Sequence, residues 1–266
     1  MLSLTEENYH SLEANQEYCS ASQFKDFNGA AGLLGCEAKA LAKIKEEWKE
    51  EPSPALMIGS YVDAHFSGTL PSFKDQNPDV FKKDGMLKAA FENAGKMVDC
   101  AEKDAFFMRT LTGGKQAIFT AEFFGLVWKI KIDVFNPSVS ITDFKTTKSI
   151  TGMEWNYNHT KKINFIEAFG YDIQGAIYQK VVEIATGDKL PFFISAISKE
   201  KYPDKEVFNL SQILLRDALF HVECMSERLK QIKSGEIEPV RCGHCNYCRS
   251  TKKLVAPVLF PAVQDY

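Results

Sequence analysis

What the chain lacks narrows it first. Its 266 residues hold no apolar run long enough to span a bilayer, so a membrane-spanning helix is not expected. The opening residues Met1-Leu2-Ser3-Leu4-Thr5-Glu6-Glu7 lack the basic-then-apolar form of a secretory signal, and a cytoplasmic protein is expected. There is no internal repeat, low-complexity tract or Pro/Gly/Ser-rich linker. Bulk positive charge is missing too, with a net charge of −3. That decides little, because a carboxylate cluster is acidic by necessity and a local lysine stripe can still hold phosphates. Nor are the seven cysteines spread as a disulfide framework: Cys19, Cys36, Cys100 and Cys224 are scattered, and Cys242, Cys245 and Cys248 are bunched. In a cytosolic protein such a bunch reads as a metal site.

What is present is ordinary for a soluble globular domain, 45% hydrophobic and 25% charged, and long enough to bury a core. Residues 22–48 read as helical with a break near Gly29 to Gly35, capped by Ser20 or Ser22. Glu51-Pro52-Ser53-Pro54 stops that stretch, and a second helix is expected over 55–66. Residues 86–111 read as one long amphipathic helix closed by Gly113-Gly114. Residues 117–145 are rich in Ile, Val, Phe and Thr, with turn signals at Gly125 and Asn136-Pro137-Ser138. They predict a three-stranded antiparallel meander. Helix returns over 164–186, a short strand over 190–198, and a last long helix over 209–234. This order predicts an α/β or α+β domain with one central mixed sheet flanked by helices.

The richest stretch is Trp128-Lys129-Ile130-Lys131-Ile132-Asp133 followed by Ile141-Thr142-Asp143-Phe144-Lys145. Side chains alternate along a strand, so Asp143 and Lys145 share a face, as do Lys129, Lys131 and Asp133. A turn at Asn136-Pro137 lets Asp133 and Asp143 converge with Lys145 beside them. Two carboxylates and the Phe144 backbone carbonyl offer oxygen ligands to Mg²⁺ or Mn²⁺, the arrangement that hydrolyses a phosphodiester. Taken alone, an Asp-x-Lys triplet is more often a solvated face with a surface ion pair. The apolar surroundings argue for burial, where lone carboxylates are costly.

These strings resemble the core of the PD-(D/E)XK nuclease superfamily, in its RecB-like branch, and are similar to phage-type exonucleases of the RecE and YqaJ kind. The segment Ser20-Ala21-Ser22-Gln23-Phe24 resembles their Ser-x-Ser opening. His65, after Gly59-Ser60, fits their metal-binding histidine. Gln174 and Tyr178 fit their Gln-x-x-x-Tyr helix. The resemblance spans about 20–248. It implies a single domain over 1–266 with a restriction-endonuclease-like fold: an N-terminal helical segment at 1–53, a catalytic core at 54–208, and a C-terminal helix with the cysteines at 209–266. It also implies 5′ to 3′ digestion of duplex DNA ends in phage-type recombination, by a homo-oligomer working with a single-strand annealing protein. On the residues alone, Gln174 and Tyr178 are either an exposed face or one turned to the active sheet. His65 is either a packed residue or a ligand, and Glu122 either a strand-face acid or an extra ligand.

In AddAB-type helicase–nucleases and CRISPR-associated adaptation nucleases, a cysteine after the Ser-x-Ser opening joins three C-terminal ones around a [4Fe-4S] cluster. Cys36 holds that place here with Cys242, Cys245 and Cys248. The closer spacing of the last two leaves Zn²⁺, or an empty thiol cluster, as alternatives. Cys19, Cys100 and Cys224 read as buried small apolar residues. For DNA, Lys148, Lys161 and Lys162 follow the acidic core with Trp155, Tyr157 and Phe165 among them, suiting phosphate contact and stacking. Lys199, Lys201 and Lys205 read as a solvated loop. The competing class is a non-catalytic DNA-end-binding or metal-stapled interaction module of the same fold.

Overall fold

The computed structural model describes residues 2–257, so residues 258–266 of the expected C-terminal segment lie outside the described residues. Seven helices come first: α1 (Leu12–Glu17), α2 (Ala21–Asn28), α3 (Glu37–Ile44), α4 (Pro54–Ser67), α5 (Leu70–Gln76), α6 (Glu92–Glu102) and α7 (Ala105–Thr110). The meander β1 (Gly114–Phe123), β2 (Leu126–Asn136) and β3 (Ser140–Thr147) follows. Then come a small ribbon, β4 (Glu154–Trp155) and β5 (Lys162–Ile163), and helices α8 (Phe165–Ala168) and α9 (Tyr171–Thr186). Strands β6 (Phe192–Ser198) and β7 (Lys205–Asn209) precede α10 (Gln212–Ser234) and α11 (Asn246–Ser250).

The central sheet runs β1-β2-β3-β6-β7, antiparallel except for the parallel β3–β6 pair that α8 and α9 connect. This is the expected mixed sheet flanked by helices. Alternation divides its side chains between two cores. Trp128, Ile130, Ile132, Ile141, Phe192 and Ile194 pack with α2, α9 and α10, whereas Val134, Phe144 and Ile197 pack with α4, α6 and α7. Trp128 is fully buried, stacked on Phe123, and its indole N–H donates to the Phe123 carbonyl at 3.1 Å.

Two features of the sheet make room for a site. Strands β2 and β3 pair over only Val134↔Thr142, Phe135↔Ile141 and Asn136↔Ser140, then part. Further along β2, Cys19 takes the vacated edge, donating to the Val127 carbonyl and accepting from Lys129 N–H, each at 2.8 Å. Second, β1–β2 pairing skips the position of Gln116 and Asp133, where Gln116 has a left-handed φ of 53°. There β2 switches faces, Ile132 going to the larger core and Val134 to the smaller.

Several expectations need correction. The helix expected over 86–111 is two helices, because the Asp104 carboxylate accepts from Phe106 and Phe107 N–H and starts a new one. The helix over 164–186 breaks at Gly170, which has a φ of 63°. The last helix starts later, capped by Ser211, and part of the supposed lysine loop is strand β7. Cys19 is buried as expected, but Cys100 is half-buried and Cys224 exposed.

Helix α4 lies close on β3 because residue 59 has no side chain: a Cβ there would stand 2.7 Å from Thr146 Oγ1. Gly59→Val is therefore expected to lower stability by about 1–3 kcal/mol through overpacking. Urea unfolding of the two proteins would reveal it, and an unchanged midpoint would mean that α4 sits farther off.

Candidate active site

Asp143 and Lys145 leave β3 on the same face, toward α9. Asp143 is 2% exposed, and its Oδ1 accepts from Gln174 Nε2 at 2.7 Å. Its Oδ2 lies 2.6 Å from Lys145 Nζ in an ion pair and is engaged by no other group. The Lys145 ammonium also faces the Tyr171 ring, 5.3 Å from its centroid. Asp133 sits at the seam where β2 and β3 part, and its Oδ2 accepts from Phe144 N–H at 2.9 Å. The carboxylate thus replaces the missing ladder partner and lies beside the Asp143–Lys145 pair. Tyr178, one turn beyond Gln174, donates to the Lys131 carbonyl of the same seam at 3.2 Å. The face that the sequence left undecided is turned to the sheet.

A cleft of about 790 Å³ opens on this seam, lined by Asp63, Asp133, Lys145, Lys148, Tyr171 and Lys199 among others. Asp63 comes from α4, one turn beyond Gly59, and no sequence expectation included it. The signal was the spacing: residues 56, 59, 60 and 63 all line the cleft and fall on one helical face.

Electrostatics follow from burial. Desolvation pushes the Asp143 carboxyl up to about 7, Lys145 opposing and Asp133 adding to the shift. Desolvation and then Asp133 push Asp63 up to about 6. Lys145 is held above the ordinary lysine range: burial alone would lower it, but Asp143 and Asp133 outweigh that. Lys25 of α2 is brought down to about 8 by burial and then by Lys145. In chelator, Asp63 and Asp143 stay protonated in the folded chain at pH values where the unfolded chain has ionised. Folding stability should therefore fall as pH rises from about 4 to about 7. Flat or rising urea midpoints across that window would contradict the burial of these acids.

Other expected residues lie elsewhere. His65 points away from the cleft, and its Nε2 is 2.9 Å from Glu102 Oε1 on α6. Glu122 is exposed opposite Val127, roughly 20 Å along β2 from Asp133, because strands rise about 3.3 Å per residue. Lys129 does not share Asp133's surroundings, whereas the charge of Lys131 still reaches Asp63. Lys129 is 1% exposed, donating to the Tyr9 carbonyl and to Asn15 Oδ1, and Lys131 lies 5.4 Å from the Tyr9 ring. Lys161 and Lys162 are exposed on the β4–β5 ribbon, Lys162 against the Trp155 ring. Lys199, read as part of a solvated loop, lines the cleft instead. Far from this seam, the thiols of Cys36, Cys242, Cys245 and Cys248 come within 4.8 Å of one another.

Comparison with known proteins bears on this geometry. The family described as "PDDEXK-like domain of unknown function (DUF3799)" matches residues 20–251. The crystal structure of a "putative exonuclease" from Eubacterium rectale is 43% identical to this chain, with a TM-score of 0.92 over 97% of each. The structure of SSO0001 matches at 14% identity and a TM-score of 0.28, over 71% of this chain and 82% of its own, too loosely to bear on fold or function. A search of the curated proteins finds no match.

Proposed function

This chain belongs to the family of PDDEXK-like domains, and from that premise we propose that it is a divalent-metal-dependent exonuclease acting on the ends of duplex DNA. The observation that carries the reading is the meeting of Asp133, Asp143 and Lys145 at the β2–β3 seam, with Asp133 and Lys145 lining an open cleft and Asp143 buried beside them. The name carried by the 43% identical Eubacterium rectale protein supports the choice of exonuclease. The donors suit the metal. Asp63, Asp133, Asp143 and the Phe144 carbonyl are hard oxygens, and Oδ2 of Asp143, engaged by Lys145 alone, is a buried acceptor of the kind Mg²⁺ or Mn²⁺ takes. When bound there, the ion would polarise a phosphoryl oxygen and acidify a water.

The chain's own groups supply the rest. Lys145 places a fixed positive charge beside the reacting phosphate, where negative charge grows in the transition state. Gln174 holds the Asp143 carboxylate in one orientation, and Tyr178 ties α9 to β2. Lys148 and Lys199 stand on the cleft wall to take flanking phosphates. The motifs themselves imply only phosphodiester hydrolysis; the resemblance to RecE- and YqaJ-type exonucleases is what implies 5′ to 3′ digestion by a homo-oligomer that hands its 3′ overhang to a single-strand annealing protein.

The test is nucleotide release from end-labelled linear duplex with Mg²⁺ or Mn²⁺, against covalently closed circular duplex and against Asp143→Ala. Release from the linear substrate by the wild type alone, abolished by chelator, is expected. Equal release by both proteins, or none by either, would sink the proposal. Blocking either the 5′ or the 3′ ends with phosphorothioates reads the polarity, and protection by 3′ blocks alone would mean 3′ to 5′ digestion instead.

A further inference from the structure

We infer that Cys36, Cys242, Cys245 and Cys248 bind a single zinc ion, and that they do not hold the iron–sulfur cubane of the AddAB-type relatives. The inference is independent of the nuclease reading and rests on the spacing of the sulfurs. All four Sγ atoms lie within 4.8 Å of one another, with Cys36 to Cys248 at 3.6 Å and Cys242 to Cys248 at 3.9 Å. A tetrahedral ion with Zn–S bonds of about 2.3 Å sets its ligand sulfurs about 3.8 Å apart. In a cubane each thiolate sits on its own iron, which spreads the ligand sulfurs to about 6 Å. The thiols are too close together for the larger group. They are also well beyond the S–S bond length of about 2 Å, and all four are free thiols.

The local backbone suits a small ion as well. Gly243, with a φ of 75°, turns the chain between Cys242 and Cys245. Cys245 N–H then donates to Cys242 Sγ at 3.3 Å, and Cys248 N–H to Cys245 Sγ at 3.4 Å. Such N–H donors steady thiolates around a metal. Cys36 stands at the N-terminus of α3, but its side chain makes no capping bond and turns to the other three cysteines. His244, inside the Cys242–Cys245 turn, is exposed and outside the ligand group. Cys36 and Cys248 are buried, and the Tyr247 ring beside them packs against Trp48 and the Arg241 guanidinium. Two cations stand near the group: Lys39, paired with Glu50 at 3.1 Å, and Arg241, which donates to the Cys248 carbonyl at 3.1 Å.

The ion would close a loop from α3 to α11, parallel to a second tie. Glu37 of α3 receives two bonds from Arg228 of α10, at 2.6 and 2.8 Å, and one from Val240 N–H at 2.7 Å. Its role is then to fasten the N-terminal helices, including the α2 that carries Lys25, to the C-terminal arm.

The experiment is elemental analysis, acid-labile sulfide and visible absorption of wild-type protein, purified anaerobically from cells supplied with both iron and zinc. About one zinc per chain, no sulfide and no colour are expected for a tetrathiolate site. Iron with sulfide overturns the inference, as does a single iron with the red of a ferric tetrathiolate. Metal-free protein whose four thiols react with Ellman's reagent before unfolding overturns it too. Cys36→Ser and Cys248→Ser should lose the zinc, and full retention in either would remove that residue from the ligand set. His244→Ala should keep it, and loss would refute the four-cysteine set. Because the serine variants can simply fail to fold, wild-type protein grown on cobalt supplies a second measurement. Intense visible bands of tetrahedral cobalt thiolate are expected, and the faint spectrum of octahedral cobalt counts against the site.

Discussion

Asp143→Asn is expected to slow nucleotide release by about a thousandfold or more, some 4 kcal/mol of transition-state stabilisation, while binding to linear duplex persists. Asparagine has the same volume, and its carbonyl oxygen can still accept from Gln174 Nε2, so the side chain keeps its place. What goes is the charge that a divalent ion and Lys145 both use. Stability should change little, since two effects of opposite sign meet: a buried carboxylate no longer pays desolvation, and a half-buried ammonium loses its nearer anion. The companion variant Lys145→Met separates them. It leaves Asp143 and Asp133 facing each other without a counter-charge, so the metal-free protein should melt well below wild type, by the order of 3–5 kcal/mol typical of a broken buried pair. Added Mg²⁺ or Mn²⁺ should restore part of that loss in Lys145→Met, because an ion between the acids supplies the missing positive charge. Thermal melts with and without the ion read this directly. An absence of rescue would mean that the two acids do not share a cation.

The parts of this site that were legible in the sequence are those set by strand alternation. The turn at Asn136-Pro137 and the two-residue period placed Asp143 and Lys145 on one side and Asp133 nearby, with nothing but local rules. The face switch at Asp133 was not legible, because it goes with a left-handed backbone at Gln116, on the neighbouring strand β1, whose consequence appears across the ladder in β2. Helix interruptions were missed for a similar reason. Apolar periodicity continues through Asp104 and Gly170, and only the capping bonds of one and the positive φ of the other show that the chain turns there. Strand β7 is short and reads as lysine-rich loop, its place being fixed by pairing with β6 across the sheet. The cysteine group was legible in its C-terminal three, where spacing suffices. Cys36 was reached through resemblance alone, since a ligand two hundred residues away leaves no local pattern.

The divergence between sequence and structure on α4 yields the second large prediction. Asp63→Asn is expected to reduce nucleotide release by about a hundredfold or more, near 3 kcal/mol, whereas His65→Ala should leave it within a few-fold. A helix advances about 100° per residue, so two residues apart means nearly opposite sides. Asp63 shares the face of Leu56, Gly59 and Ser60 that lines the cleft; His65 looks toward α6 and meets Glu102. For the imidazole to reach the seam, α4 would have to rotate by roughly half a turn. That would drive Asp63 out and pull Val62, which is fully buried against Met97 and Phe144, from the smaller core. The packing energy of that core opposes the rotation, which leaves the Asp63 carboxylate on the cleft and the imidazole against Glu102. Mn²⁺ affinity measured calorimetrically on the two variants gives the same contrast without turnover: weakened for Asp63→Asn and kept for His65→Ala. The opposite pattern, with His65→Ala losing the ion, would show that α4 turns its other side to the seam when metal and DNA are bound.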